Sequence, residues 1–531
     1  MGSLETEKLV QDSLSDHHKP PPLLPPSTAT YFQPKASKNR LLSLLLEPIQ
    51  WLRMLSDNLN PTFVLGVFVV YGLNQGFAGS FFKVVSDYYW KDVQRVQPSA
   101  VQLYIGFYYI PWIMKPLWGL LTDVFPVMGY RRRPYFVASG ILGVASAMAV
   151  AAGGRLLVPL ALTFLMGLTA SLAIADVTID ACVAHNSIKM AALAPDMQSL
   201  CGLCSSAGAL IGYSTSGFFV HHIGAQGALG VLAIPPAALI VLGFVIHEVR
   251  TDVLNSEKKK KATEKIGAAV RGMYETIKLP QVWKPSLYMY LSFSLNISTH
   301  EGQFYWYTDP KAGPAFSQEF VGTVYAIGAL ASMVGVLIYQ KTLKDCSFRK
   351  LLFSVQLLYG VTGMLDLIFV RRWNLALGVP DWFFVIAEEC VSRVVSRIRW
   401  MPMIVLSTKL CPLGIEGMFF ALLMCIDSLG FLSSKMGGGL VLNLMHVTRT
   451  DFSNLWLALL IRNVLRLATL GLIFLVPEAE QSDVIVASGA SSNKRGNENA
   501  KDADDDDDDD DGHHYRHEGL QLVPMSEKSE V

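Results

Sequence analysis

Long apolar runs alternate with short polar links along most of the chain. The first run begins near residue 62, behind a polar leader. Each run is close to the ~20 residues that cross a hydrocarbon core as a helix. Twelve spans are predicted, at approximately 62–85, 100–123, 134–152, 156–180, 197–219, 227–247, 284–307, 318–340, 351–370, 381–406, 414–443 and 453–476. The apolar residues are blocked together and not spaced at the period of a half-buried soluble helix, which predicts an all-α integral membrane bundle. Five segments follow from this pattern. They are a leader over 1–60, six helices over 61–247, a basic link over 248–282, six more helices over 283–477, and a tail over 478–531.

Composition sharpens the picture. Of 531 residues, 51% are hydrophobic and 17% charged, whereas soluble chains carry roughly 25% charged residues. The formal net charge is zero but unevenly spread. Links after even-numbered spans hold about 17 Lys/Arg against about 7 after odd-numbered spans, which predicts both termini in the cytoplasm. The plasma membrane, the vacuole and the plastid envelope all stay open as the host membrane. Seven scattered cysteines make no disulfide framework, and Cys201 and Cys204 read as packing residues inside a span. The leader's prolines and the Asp504–Asp511 run with His513, His514 and His517 read as solvated polar segments. No phosphate-binding loop, zinc signature or nucleophile elbow is present. Enzyme chemistry, a cofactor, a metal and a nucleic-acid partner are therefore not expected, and a monomer in the lipid bilayer is. Six spans, a charged link and six more spans form the layout of a major facilitator, whose halves are internal repeats.

The candidate chemistry lies where charge enters apolar runs. Asp176 and Asp180 sit near the end of the fourth span, where an ionised carboxylate costs roughly 2.5–3.5 kcal/mol at a helix centre. At i and i+4 they share one face and are expected to meet a wet cavity or a cation. Two close acids sharing one proton would also offer a proton-coupling device. Span ten carries Glu389, Arg393 and Arg397 at i, i+4 and i+8. That stripe is either a structural ion-pair network or a cationic site for an anionic substrate. Gln75, Gln198 and Glu301 are further polar groups in spans, readable as helix–helix hydrogen bonds or as ligand contacts. Between spans two and three, Gly119 and Asp123 precede Arg131, Arg132 and Arg133. Gly335 and Tyr339 repeat the Gly119–Asp123 spacing in the second half, again before basic residues. Close packing at the glycines and charge at the helix ends predict a conformational latch there.

Together, the stretch from Pro116 to Tyr135, the Ala175–Asp180 core, Asp196–Ser199 and the Tyr339–Leu351 loop resemble the folate–biopterin transporter family, its plant members most of all. The likeness covers roughly residues 61–477. It implies a twelve-helix major facilitator fold and secondary active transport of folates or pterins by alternating access. A pterin presents an amino group beside a ring N–H, which suits a carboxylate of Asp176 or Asp180. Arg393 or Arg397 supplies a planar fork for the carboxylates of folate. Many relatives place an acidic and a basic residue after the second aspartate, where this chain reads Val183-Ala184-His185-Asn186. Two other readings stay open. One is a major facilitator for a different small organic solute; the other is a non-transporting receptor or scaffold that recruits partners through its tail.

Overall fold

The computed structural model describes residues 50–479, apart from 191–192, 249, 251–266, 268–270, 272–273, 275, 344–345 and 411–415. Lys258–Lys261, the proline-rich leader and the acidic tail lie outside the described residues. Contacts divide the chain between Val64 and Leu65. In the first unit, residues 50–58 are helical. Asn60 opens the next helix there: its Oδ1 accepts from Thr62 N at 2.9 Å and from Thr62 Oγ1 at 2.8 Å, the usual service of an Asn ahead of a first turn.

The helices are α1 (Pro61–Val93), α2 (Pro98–Phe107), α3 (Lys115–Val124), α4 (Arg133–Ala152), α5 (Val158–Lys189), α6 (Ala194–Val231), α7 (Ile234–Val245), α8 (Pro280–Ser294), α9 (His300–Tyr307), α10 (Gln318–Ile338), α11 (Phe348–Thr362), α12 (Met364–Val370), α13 (Asp381–Lys409), α14 (Glu416–Leu444) and α15 (Leu455–Ala468). Among the described residues the only β pairing is a single bridge between Val127 and Tyr130.

Among the described residues, seven stretches are long and apolar enough to cross a membrane by length and composition. One of them, Asp196–Val245, holds two of the predicted spans. The chain turns between them at Gly224, whose φ of 72° and ψ of 162° suit only a residue without Cβ. Other predicted spans are helical but broken or charged. The second is interrupted between α2 and α3, and α13 carries Glu388, Glu389, Arg393, Arg397 and Arg399 on one helix. The seventh opens between α8 and α9, and α14 takes up the freed backbone groups. Asn296 O accepts from Ser434 Oγ at 2.6 Å, and Ser298 N donates to Ser434 O at 3.1 Å. A broken helix survives at this depth only where protein satisfies it.

Helix α6 packs along α1 on one side and α10 on the other. Glycine makes both contacts possible. A Cβ at Gly208 would stand 2.0 Å from Gly72 O, and one at Gly217 would stand 2.2 Å from Gln318 O. Backbone therefore lies on backbone, the close approach that small residues allow between membrane helices. Phe81, Tyr88, Tyr89 and Trp90 of α1 join Phe304, Tyr305 and Trp306 of α9 in one buried cluster with Leu455 and Leu459 of α15. Trp90 Nε1 donates to Tyr108 OH at 2.7 Å, so the ring's polar edge is satisfied inside the cluster. This aromatic plug fills the end of the bundle that carries the 94–97 and 308–317 connections.

Candidate functional site

Beneath the plug lies a cavity of about 360 Å³, lined chiefly by α9, α10, α12, α13, α14, α15 and the 296–299 link, with Lys83 of α1 and Tyr109 after α2. Its walls are aromatic. Tyr109 stacks on Phe431 with ring centres 5.6 Å apart, and Phe316 stacks on Phe369 at 6.3 Å. The polar groups fall into three sets. In the first, Arg462 reaches Asp366 Oδ2 at 2.5 Å, while Gln303 Nε2 donates to Asp366 Oδ1 at 2.7 Å. Arg462 also donates to Gln303 Oε1 and Thr299 Oγ1, each at 3.1 Å. Asp366 is thus held from both oxygens. Beside it, Arg466 Nε donates to Asn296 Oδ1 at 2.6 Å and its guanidinium lies 4.4 Å from the Tyr359 ring centre.

In the second set, Arg393 Nε donates to Glu389 Oε1 at 2.6 Å, the i,i+4 pair expected from spacing. Its guanidinium is 5.8 Å from the Tyr325 ring centre, and only one edge of the fork is used in the Glu389 bond. Gly328 of α10 leaves room for this pair, since a Cβ there would stand 2.7 Å from Glu389 Oε1. In the third set, Lys83 and Lys435 face the cavity. Neither ammonium lies within 4.0 Å of a carboxylate among the described residues. Lys83 instead sits 4.7 Å from the Tyr325 ring centre.

Asp176 and Asp180 are placed elsewhere. Lys115 pairs with Asp176 and stands 4.0 Å from Asp180 Oδ2, while Tyr71 OH donates to Asp180 Oδ1. Asp176 is buried and Asp180 about half exposed. Neither lines the cavity that holds Arg393, so the charges expected in one site occupy two clusters.

A sequence profile described as the BT1 family matches residues 75–496. The chain belongs to the BT1 family. It is 61% identical to "Probable folate-biopterin transporter 6" of Arabidopsis thaliana, over 93% of this chain and 97% of that one. It is 30% identical to the "Folate-biopterin transporter" of Synechocystis sp. (strain ATCC 27184 / PCC 6803 / Kazusa), over 75% of this chain and 78% of that one. In structure it is similar to the nucleoside transporter NupG, at a TM-score of 0.59 and 12% identity, covering 77% of this chain and 98% of that one. This BT1 family chain is thus a multi-pass membrane transporter of major facilitator fold, and not an enzyme.

The remaining expected residues of this BT1 family member distribute as follows. Glu301 is fully buried on α9. Arg397 Nε donates to Ser332 Oγ at 2.9 Å. Gln75 is half-buried on α1 and Gln198 exposed on α6; neither lines the cavity. Gly119 faces Val177 of α5, and Gly335 lies against the α13 backbone, where a Cβ would stand 2.9 Å from Val394 O. Tyr339 is buried, and the side chain of Asp123 lies outside the described residues. Arg131 N, Arg132 N and Arg133 N all donate to the Glu248 carboxylate, at 2.7 to 3.1 Å.

Sequence reasoning did not single out Glu248, Lys83, Asp87, Tyr71 or Asp366. Lys83 and Asp87 stand at i and i+4 near the end of the first run, the same spacing that drew attention to Asp176 and Asp180. Asp366 offers no such signal, since its arginine lies 96 residues away.

Proposed function

We propose that this chain carries folates or pterins across its membrane by alternating access, driven by protons, with the cargo in the cavity of α9, α10, α13, α14 and α15. The two curated relatives are named for folate and biopterin. The observation that carries the reading to this cavity is its pairing of aromatic walls with cationic side chains. Flat rings suit a pteridine. Lys83, Lys435 and the free edge of Arg393 suit the carboxylates of a glutamyl tail, and Glu388 on the cavity wall suits the pterin amino edge. Asp176 serves Lys115, and the half-exposed Asp180 with Tyr71 is a contact that cargo meets on its way. Both termini lie in the cytoplasm in this reading. The two six-helix halves, 61–247 and 283–477, rock about the cavity, while Gly119, Asp123, Arg131–Arg133, Gly335 and Tyr339 govern the rocking.

The test is uptake of labelled folate and of an uncharged pterin in a transport-deficient cell. Arg393→Lys keeps the charge and removes the planar fork. Folate uptake is expected to fall about tenfold, equivalent to about 1.4 kcal/mol, with pterin uptake changed much less. Equal loss of both would reduce Arg393 to a structural partner of Glu389. Uptake of neither by the unaltered chain would favour a different organic solute.

A further inference from the structure

Where the aromatic plug meets the cavity, one carboxyl group has no hydrogen-bond partner. Glu301 is 0% exposed, and neither carboxyl oxygen makes a hydrogen bond. Close to it lies His300, whose Nε2 stands 4.0 Å from Glu301 Oε1 and 3.2 Å from Asp87 Oδ2. Asp87 is itself 2% exposed and belongs to α1, whereas His300 and Glu301 open α9. Gln102 of α2 completes the junction, its Oε1 accepting from Glu301 N at 3.0 Å. His300 alone of the three acid–base groups lines the cavity, with Tyr325 OH 3.4 Å from its Nε2.

We infer that Glu301, with His300 and Asp87, holds the coupling proton, and holds it only while α1 and α2 are closed on α9. The inference rests on the transporter reading above and locates its driving ion away from Asp176 and Asp180.

The physical reason is the missing donor. A buried carboxylate with no hydrogen bond and no counter-ion in contact costs several kcal/mol more than the neutral acid. The groups that act on Glu301 are Asp87 and Lys83 from α1, Tyr108 after α2, His300 and Tyr305 on α9, and Lys435 on α14. Neither lysine reaches it within 4.0 Å, so the two ammonium groups set the field without supplying the bond. They also stand against a divalent ion, although the three ligand atoms lie within 4.8 Å of one another. Separation of α1 and α2 from α9 takes Asp87 and Gln102 away and admits water. The carboxyl O–H then breaks, the proton passes to water, and the ionised carboxylate is solvated. Closing again requires a proton to return. At Glu301 the closed state holds a proton that the open state releases, so through this group acid favours closure.

The experiment needs no cargo, which keeps it independent of the folate or pterin reading. Spin labels replace Ile223 on α6 and Lys311 in the 308–317 connection, both exposed, in the full-length chain in lipid nanodiscs. Between about pH 8 and about pH 5.5, the short-distance population is expected to grow several-fold. Glu301→Gln, a neutral isostere, should hold the short distance at both values. A second histidine–carboxylate pair lies at this end, His221 with Glu319 at 3.2 Å, so His221→Gln must leave the shift in place. Glu301→Gln that still shifts like the unaltered chain overturns the inference. So does an unaltered chain that ignores pH, or one that responds to sodium or a divalent ion instead.

Discussion

Arg133 and Arg349 occupy matching places in the two sets of helices, α1–α7 and α8–α15. Each stands in the first turn of the fourth helix of its set, α4 or α11, and each donates through Nε to a backbone carbonyl near the end of that set. Arg133 reaches Ile246 O at 2.8 Å, and Arg349 reaches Val476 O at 3.0 Å. Two residues beyond each carbonyl comes a glutamate, Glu248 or Glu478. There the likeness stops. Glu248 receives three backbone N–H groups at the start of α4, whereas Glu478 receives one guanidinium nitrogen at 2.7 Å and is 77% exposed. The interior differs the other way. Between its helices the first set holds Lys115 with its two aspartates, while the second holds the Arg462–Asp366, Arg466–Asn296 and Arg393–Glu389 contacts around the cavity. One framework can thus be stiff at its end and plain within, or looser at its end and chemically dense within.

The sharpest way to break this comparison is to strip the dense interior of one member. Arg462→Met leaves the largely enclosed Asp366 without its cation and should destabilise the protein by up to about 3 kcal/mol. Adding Asp366→Leu should restore the folded yield in size-exclusion chromatography, with transport still absent. A single Arg462→Met chain of unaltered melting temperature would show the network to be ornamental to the fold.

Gly217→Val tests the seam between the sets. The new side chain would meet the Gln318 and Glu319 backbone, so the plugged end should fail to close. Uptake should fall at least about tenfold, with thiol labelling at that end increased. A closed, active Gly217→Val protein would mean that the seam is not rigid.

The smallest effect compares the two glutamates directly. Glu248→Ala frees three helix-start N–H groups and should cost about 1–2 kcal/mol in thermal unfolding. Glu478→Ala removes an exposed pair and should stay within about 0.5 kcal/mol. Equal costs would remove the stated difference in stiffness.

Legibility in the sequence follows the range of the interactions. The span expected at 134–152 is α4, and the one expected at 318–340 opens with α10 at Gln318, because apolar runs and helix starts are local signals. The Glu389–Arg393 pair was legible for the same reason. The first span was expected to stop at residue 85, yet α1 continues to Val93, because aromatic packing carries the helix past Lys83 and Asp87. Asp87 meets His300 across 213 residues. No periodicity encodes such a meeting. The two aspartates of the fourth span were read as costly charges that meet a wet cavity or a cation; the cation beside Asp176, Lys115, sits on a different helix, which the spacing does not show.

The glycine contacts of α6 have a mechanical side. Interlocked side chains act like gear teeth: one helix turns against another only when rotamers change or the pair separates. Where Gly208 meets Gly72, and Gly217 meets Gln318, backbone faces backbone and no teeth engage. Such a surface keeps the attraction of close contact while lowering the friction of rotation. Helix α6 touches both sets in this way, so it resembles a plain bearing, on which two halves can turn without first coming apart.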